Sequence, residues 1–137
     1  MEIDLRPDLN GLRVRLPGTF PIYLIDQGKR RHIPSEDVYN FLFSTWDGIV
    51  DDIDIVKIQL GEPIPSTADL VRFLGSPAIF LKDGVQPNHV LRHITSPEVM
   101  ERYKFNWANV WDYEFTLEAF QQGQSPYFGL GPEITNP

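Results

Sequence analysis

Cysteine is absent from the 137 residues. That excludes disulfides, thiol nucleophiles and thiolate metal sites, and leaves the compartment open. Long apolar runs are also missing: nothing approaches the roughly 20 residues that span a bilayer as a helix. The first residues, Met1 to Pro7, lack the basic start and apolar stretch of a signal peptide. The expectation is an intracellular chain, or one presented without an export segment. Positive charge is scarce, with 12 Lys and Arg against 19 Asp and Glu and a net charge of −7. Such a surface repels phosphate backbones, so nucleic acid is not an expected partner, and the one basic patch, Lys29 to His32, is short. Neither a Gly-x-Ser-x-Gly elbow nor a Gly-rich phosphate loop occurs. What is abundant is proline, with 12 residues, and glycine, with 10, which cut the chain into short elements and point away from a helical bundle. Hydrophobic content of 42% places it among folded single domains rather than disordered chains.

The chain repeats itself. Val14–Asp26 (VRLPGTFPIYLID) aligns with Val71–Asp83 (VRFLGSPAIFLKD) at a constant offset (71 − 14 = 57). Arg31–Ser35 (RHIPS) then aligns with Arg92–Ser96 (RHITS) at a larger one (92 − 31 = 61). The difference (61 − 57 = 4) is a four-residue insertion in the second copy, falling in Gly84–Asn88, where a hairpin loop tolerates it. The second offset persists to pair Val38 with Val99 and Trp46 with Trp107. Trp is rare, so that last match outweighs several matched aliphatics.

Each copy reads as β-β-α-β. A strand (Ile22 to Asp26; Ile79 to Asp83) turns into a second strand carrying Arg-His-Ile. Ser35 and Ser96 are expected helix N-caps, with acidic residues in the first turn and Pro97 at the first helical position. Helices are expected from about Glu36 to Phe43 and from about Pro97 to Tyr103, by the spacing of their apolar residues. Alternation over Ile53–Ile58 and Val110–Phe115 predicts a closing strand in each. The expected fold is α+β: one pseudo-symmetric domain over residues 1–137, with repeats at 12–60 and 69–122, a link at Gly61–Ser66 and a Gly/Pro-rich tail at 123–137. Neither unit is large enough to be comfortable alone, so the two are expected to share an interface.

The pattern Ile22–Ser35 (IYLIDQGKRRHIPS), followed by a short helix and a Trp, resembles a small module found in tandem in many bacterial secreted and cell-wall-associated proteins. The resemblance covers Gly18 to about Ile58; the second copy matches less well, because its turn lacks the Lys-Arg pair. It implies a non-catalytic accessory module that binds cell-wall or other polysaccharide, at an extracellular or cell-surface location.

Catalysis has little to stand on. The histidines are His32, His89 and His93, and the Ser that follows each Arg-His-Ile already serves as a helix cap. His89 and His93 lie four apart but flank a strand, which spoils a metal geometry that needs a helix. Asp47, Asp51, Asp52 and Asp54 do not follow EF-hand spacing and read as a solvated turn. No cofactor or metal is expected. If Ile33 and Ile94 are buried, Arg31 and Arg92 share their face, where a structural ion pair with Asp26 or Asp83 competes with ligand contact.

Tyr23, Phe80, Trp46 and Trp107 are matched between copies and read first as core. Trp111, Tyr113 and Tyr127 lack an aromatic counterpart and are the preferred exposed platform, since sugar rings stack their C–H groups on such faces. Lys29, Arg30 and His89 complete the candidate ligand-binding set as unmatched polar groups. The leading function is a non-enzymatic module binding carbohydrate; the alternatives are a protein-interaction domain (adaptor or inhibitor) and a small hydrolase.

Overall fold

The computed structural model describes residues 3–84, 89–123 and 129–137. In chain order the elements are β1 (Arg13–Arg15), β2 (Ile22–Asp26), β3 (Lys29–His32), α1 (Glu36–Leu42) and β4 (Val50–Asp51). There follow β5 (Asp69–Arg72), β6 (Ile79–Asp83), β7 (Val90–Ile94), α2 (Pro97–Tyr103), β8 (Trp111–Asp112), α3 (Leu117–Gln122) and β9 (Gly129–Leu130). They build two sheets, in the orders β3-β2-β1-β4 and β8-β5-β6-β7-β9. The fold is α+β.

Register agrees between the sheets. Val14 faces Tyr23 and Val71 faces Phe80; Leu24 faces Arg31 and Leu81 faces Arg92. β4 and β8 each lie parallel to the first strand of their sheet, pairing Arg15 with Asp51 and Arg72 with Asp112. The β2–β3 hairpin turns through Gln27 and Gly28, both at positive φ (53° and 75°). A two-residue turn of that hand matches the right-handed twist of its strands, and glycine takes it without strain.

Both helices start where the caps place them. The Ser35 hydroxyl accepts from the Val38 N–H at 3.2 Å, and the Ser96 hydroxyl accepts from the Val99 N–H at 3.3 Å. Both sheets turn one face into a shared core that includes Leu24, Leu70, Leu81, Tyr39, Tyr103 and Phe105. Phe43 and Phe105 stack across the junction, with ring centroids 5.8 Å apart. The other face of each sheet is covered separately. Ile55 and Ile58 pack on Val14 and Ile25 in the first half, and Phe120 of α3 packs on Val71, Phe80 and Leu91 in the second.

One expectation is corrected, and two features carried no signal in the sequence. β1 and β5 are strands that alternation did not signal, because β1 spans only three residues and two of them are arginines. The first closing strand is shorter and earlier than expected, Val50–Asp51 rather than Ile53–Ile58, and the second lies within the expected Val110–Phe115 but spans only Trp111–Asp112. Ile55–Lys57 is a 3-10 turn; Ile55 and Ile58 are buried while Ile53 and Val56 are exposed, the i,i+3 spacing of a 3-10 face rather than strand alternation. Finally, the link and residues 131–134 of the tail are hydrogen-bonded to β3 and β7. The Gly61 N–H donates to Arg30 and the Ile64 N–H to His32, while the Gly131 N–H donates to Leu91 and the Ile134 N–H to His93. Ile64 and Ile134 both enter the shared core.

Candidate functional site

Strand alternation puts Asp26, Arg31, Asp83 and Arg92 on the inner faces of the two sheets, and all four are buried. Arg31 reaches across to Asp83 with two bonds (Nη1 to Oδ2, 2.7 Å; Nη2 to Oδ1, 2.9 Å) and gives one to its own-sheet Asp26 (2.9 Å). Arg92 does the reverse, binding Asp26 twice (2.6 and 3.0 Å) and Asp83 once (3.2 Å). Arg31 Nε and Arg92 Nε donate to the carbonyls of Glu62 and Pro132 at 2.8 and 2.9 Å, and Arg31 Nη2 also donates to the Pro63 carbonyl at 3.3 Å. Burial pushes the Asp83 carboxyl up, but its bonds to Arg31 and the charges around it outweigh this and hold it at about 2. The same carboxylates raise the Arg31 guanidinium against the opposing pull of burial. A carboxylate held so far down is no general acid near neutral pH; the cluster fastens the two sheets together.

Beside each helix start lies a cleft. The first, of about 430 Å³, has Phe20, Ile22, His32, Ile33, Tyr39 and Trp46 in its walls. The second, of about 530 Å³, has Pro77, Ile79, His93, Ile94, Met100 and Trp107. Every one of those first-cleft residues has its counterpart in the second at one of the two offsets (77 − 20 = 57; 107 − 46 = 61). Trp46 and Trp107 are 45% and 44% exposed, so each ring borders its cleft instead of filling the core. Their indole N–H groups are tied down in the same way: Trp46 Nε1 donates to Asn40 Oδ1 at 2.7 Å, and Trp107 Nε1 donates to Glu101 Oε1 at 3.2 Å. Ser35 and Ser96 also line the clefts; as caps they accept through oxygen, which leaves each O–H to donate outward. His32 and His93 rest on Tyr23 and Phe80, with centroids 5.7 and 5.4 Å apart.

The clefts differ in how the Trp loop is held. Buried Arg13 donates to the Tyr39 hydroxyl and, at 2.7 Å each, to the carbonyls of Thr45 and Asp47 on either side of Trp46. Tyr39 stacks against Trp46 with centroids 4.0 Å apart. In the second half the corresponding residues are Leu70 and Met100, and the lip residue Phe20, 95% exposed, is replaced by Pro77.

The sequence-derived candidates are scattered. Trp111 is 62% exposed on edge strand β8, whereas Tyr113 packs with Phe73, Phe115 and Phe120. Lys29 lines a small hollow above the ion cluster. Arg30 lies over the Tyr23 ring at 5.1 Å and donates to the Ile58 carbonyl. His89 precedes β7, partly buried, and Tyr127 lies outside the described residues. The structure does not gather the five described candidates, Lys29, Arg30, His89, Trp111 and Tyr113, into one site. Trp46 and Trp107, expected first as core, stand at the clefts because Tyr39, Phe43, Tyr103 and Phe105 already fill the interior beneath them. Among the described residues, no group of three or more His, Asp or Glu is placed to hold a metal. The sequence reading also missed Arg13, whose signal was a charge in a strand position matched to Leu70.

Comparison with protein-family models, with curated proteins and with solved structures found no match.

Proposed function

We propose that this chain is a non-enzymatic binding module whose two corresponding clefts take carbohydrate. The observation that carries the reading is the pair of Trp rings, each half exposed over an apolar floor and each anchored through its indole N–H. A ring held in place presents its face without reorganising, so stacking against sugar C–H groups is not offset by ordering the side chain. Outward hydroxyl donors at Ser35 and Ser96 supply the polar contacts that orient sugar hydroxyls. The resemblance to a tandem module of secreted and cell-wall-associated bacterial proteins favours cell-wall polysaccharide and an extracellular location. We also propose that the halves are duplicated units; the shared strand order, register and cleft make-up support this. Two such sites on one chain favour a polymeric ligand, since the second contact is intramolecular and raises avidity.

The hydrolase reading is less well supported, because the buried carboxylates Asp26 and Asp83 are committed to arginines. An array of cell-wall oligosaccharides tests the proposal. The wild type is expected to retain glycans, and Trp46→Ala combined with Trp107→Ala to lose them while keeping its circular dichroism. An array without signal, or a folded double variant binding as before, contradicts it.

A further inference from the structure

Corresponding surfaces of the two halves are filled differently at one place. Arg102, at the end of α2, donates from Nε to the Asn10 carbonyl at 2.8 Å and from Nη2 to the Asp8 carbonyl at 3.4 Å. Its stem lies over Gly11, where an added Cβ would come within 2.8 Å of Arg102 Cγ. A guanidinium of this chain thus seals the seam between α2 and the segment leading into β1. In the other half the position of Arg102 belongs to Phe41 (102 − 61 = 41), and that of Asn10 to Thr67 (10 + 57 = 67). No described residue seals that seam. Instead, α1 and Ser66–Asp69 border a hollow of about 350 Å³, which shares Phe41 and Asp69 with a second hollow of about 450 Å³ reaching Trp111.

The walls of this open groove say what would fill it. Asp69 stands where the other half has Leu12, and Asp37 adds a second carboxylate at the rim (69 − 57 = 12). Asp69 is only loosely matched, with Lys82 at 3.8 Å, and Asp37 has no cationic partner among the described residues. Phe41, which lines both hollows, and Trp111, which lines the second, are both exposed and add aromatic surface. Carboxylates for the fork and aromatic faces for the plane are what a guanidinium binds best.

We propose that this groove docks an arginine side chain from an exposed segment of a partner protein, its guanidinium taking the place that Arg102 takes in the other half. The site is separate from the two Trp clefts, so its fate and theirs are decided independently.

The test is a heteronuclear NMR titration of the full chain with a short Gly/Ser peptide carrying one arginine. The Trp111 indole and the Asp69 amide are expected to shift, and those of Trp46 and Trp107 to stay, which also reports an intact fold. Affinity is expected to fall by about tenfold or more when arginine is replaced by uncharged citrulline, or in Asp69→Asn. Phe41→Arg is expected to fill the groove from within, as Arg102 does, and to abolish the shifts. No response at Trp111, equal binding by citrulline or by a lysine peptide, or undiminished binding to both variants overturns the proposal.

Discussion

Asp83 shows how the charges in the interior are balanced. Burial alone would raise its carboxyl, yet Arg31 and Arg92 leave it at about 2, below the ordinary carboxylate value of 3.8. A depressed folded-state value contributes stability that is fully present above about pH 4 and is lost as pH falls towards about 2. The contribution is on the order of 2 kcal/mol. Urea midpoints are therefore expected to drop across that acid window in the wild type, with a shallower drop in Asp83→Asn. That variant is expected to be weaker at neutral pH by about 3 kcal/mol, because two largely buried guanidinium groups lose a partner. Identical acid slopes in the two proteins contradict this account of the cluster. Arg13 makes a second case. Arg13→Leu leaves the Asp47 carbonyl and the Tyr39 hydroxyl short of a donor, at a cost of about 2 kcal/mol. Adding Tyr39→Met recreates the Leu70 and Met100 pairing of the other half and is expected to recover part of the loss, seen as a favourable coupling in a double-mutant cycle.

At the scale of elements, what announced itself was whatever had a chemical marker. Ser35 and Ser96 marked both helix starts, and removing either hydroxyl by Ser→Ala is expected to cost about 1 kcal/mol in chemical denaturation. The Arg-His-Ile strands were legible because alternation placed Arg31 and Arg92 inward with Ile33 and Ile94, and the ion pairs with Asp26 and Asp83 follow from that. Sequence did not show that each arginine binds the opposite aspartate more fully, since that depends on how the sheets meet. β1 was too short for periodicity to register. The first closing strand was misplaced because Ile55 and Ile58 imitate alternation while packing as a 3-10 turn. A further repeat was overlooked: Leu60-Gly61-x-x-Ile64 returns as Leu130-Gly131-x-x-Ile134, shifted by nine more residues (70 − 61 = 9). α3 lies within the stretch that carries the extra length, so the matching offset breaks just where the last match lies.

For the whole molecule, the consequence is that the C-terminal segment closes the structure. Ile134 is buried among Ile94 and the other core residues, as Ile64 is. Ile134→Ala and Ile64→Ala are each expected to cost about 3 kcal/mol by thermal or urea unfolding. A loss under about 1 kcal/mol for Ile134→Ala would show that the tail merely rests on the surface. With the core shared, the described surface carries Trp clefts at corresponding positions and a groove along α1, while the ion cluster lines the hollow beside Lys29. Trp46 and Trp107 were ambiguous in sequence because a repeated Trp serves a core and a site equally well; only their half exposure separates the two roles.

The chain holds three Trp residues, so three indole N–H resonances report on three places. Following them while a cell-wall oligosaccharide is titrated tests the central claim most directly. The account predicts that the Trp46 and Trp107 signals move together and saturate, while Trp111 stays still. Movement of Trp111 alone, or no movement at any of the three across the oligosaccharides, contradicts it.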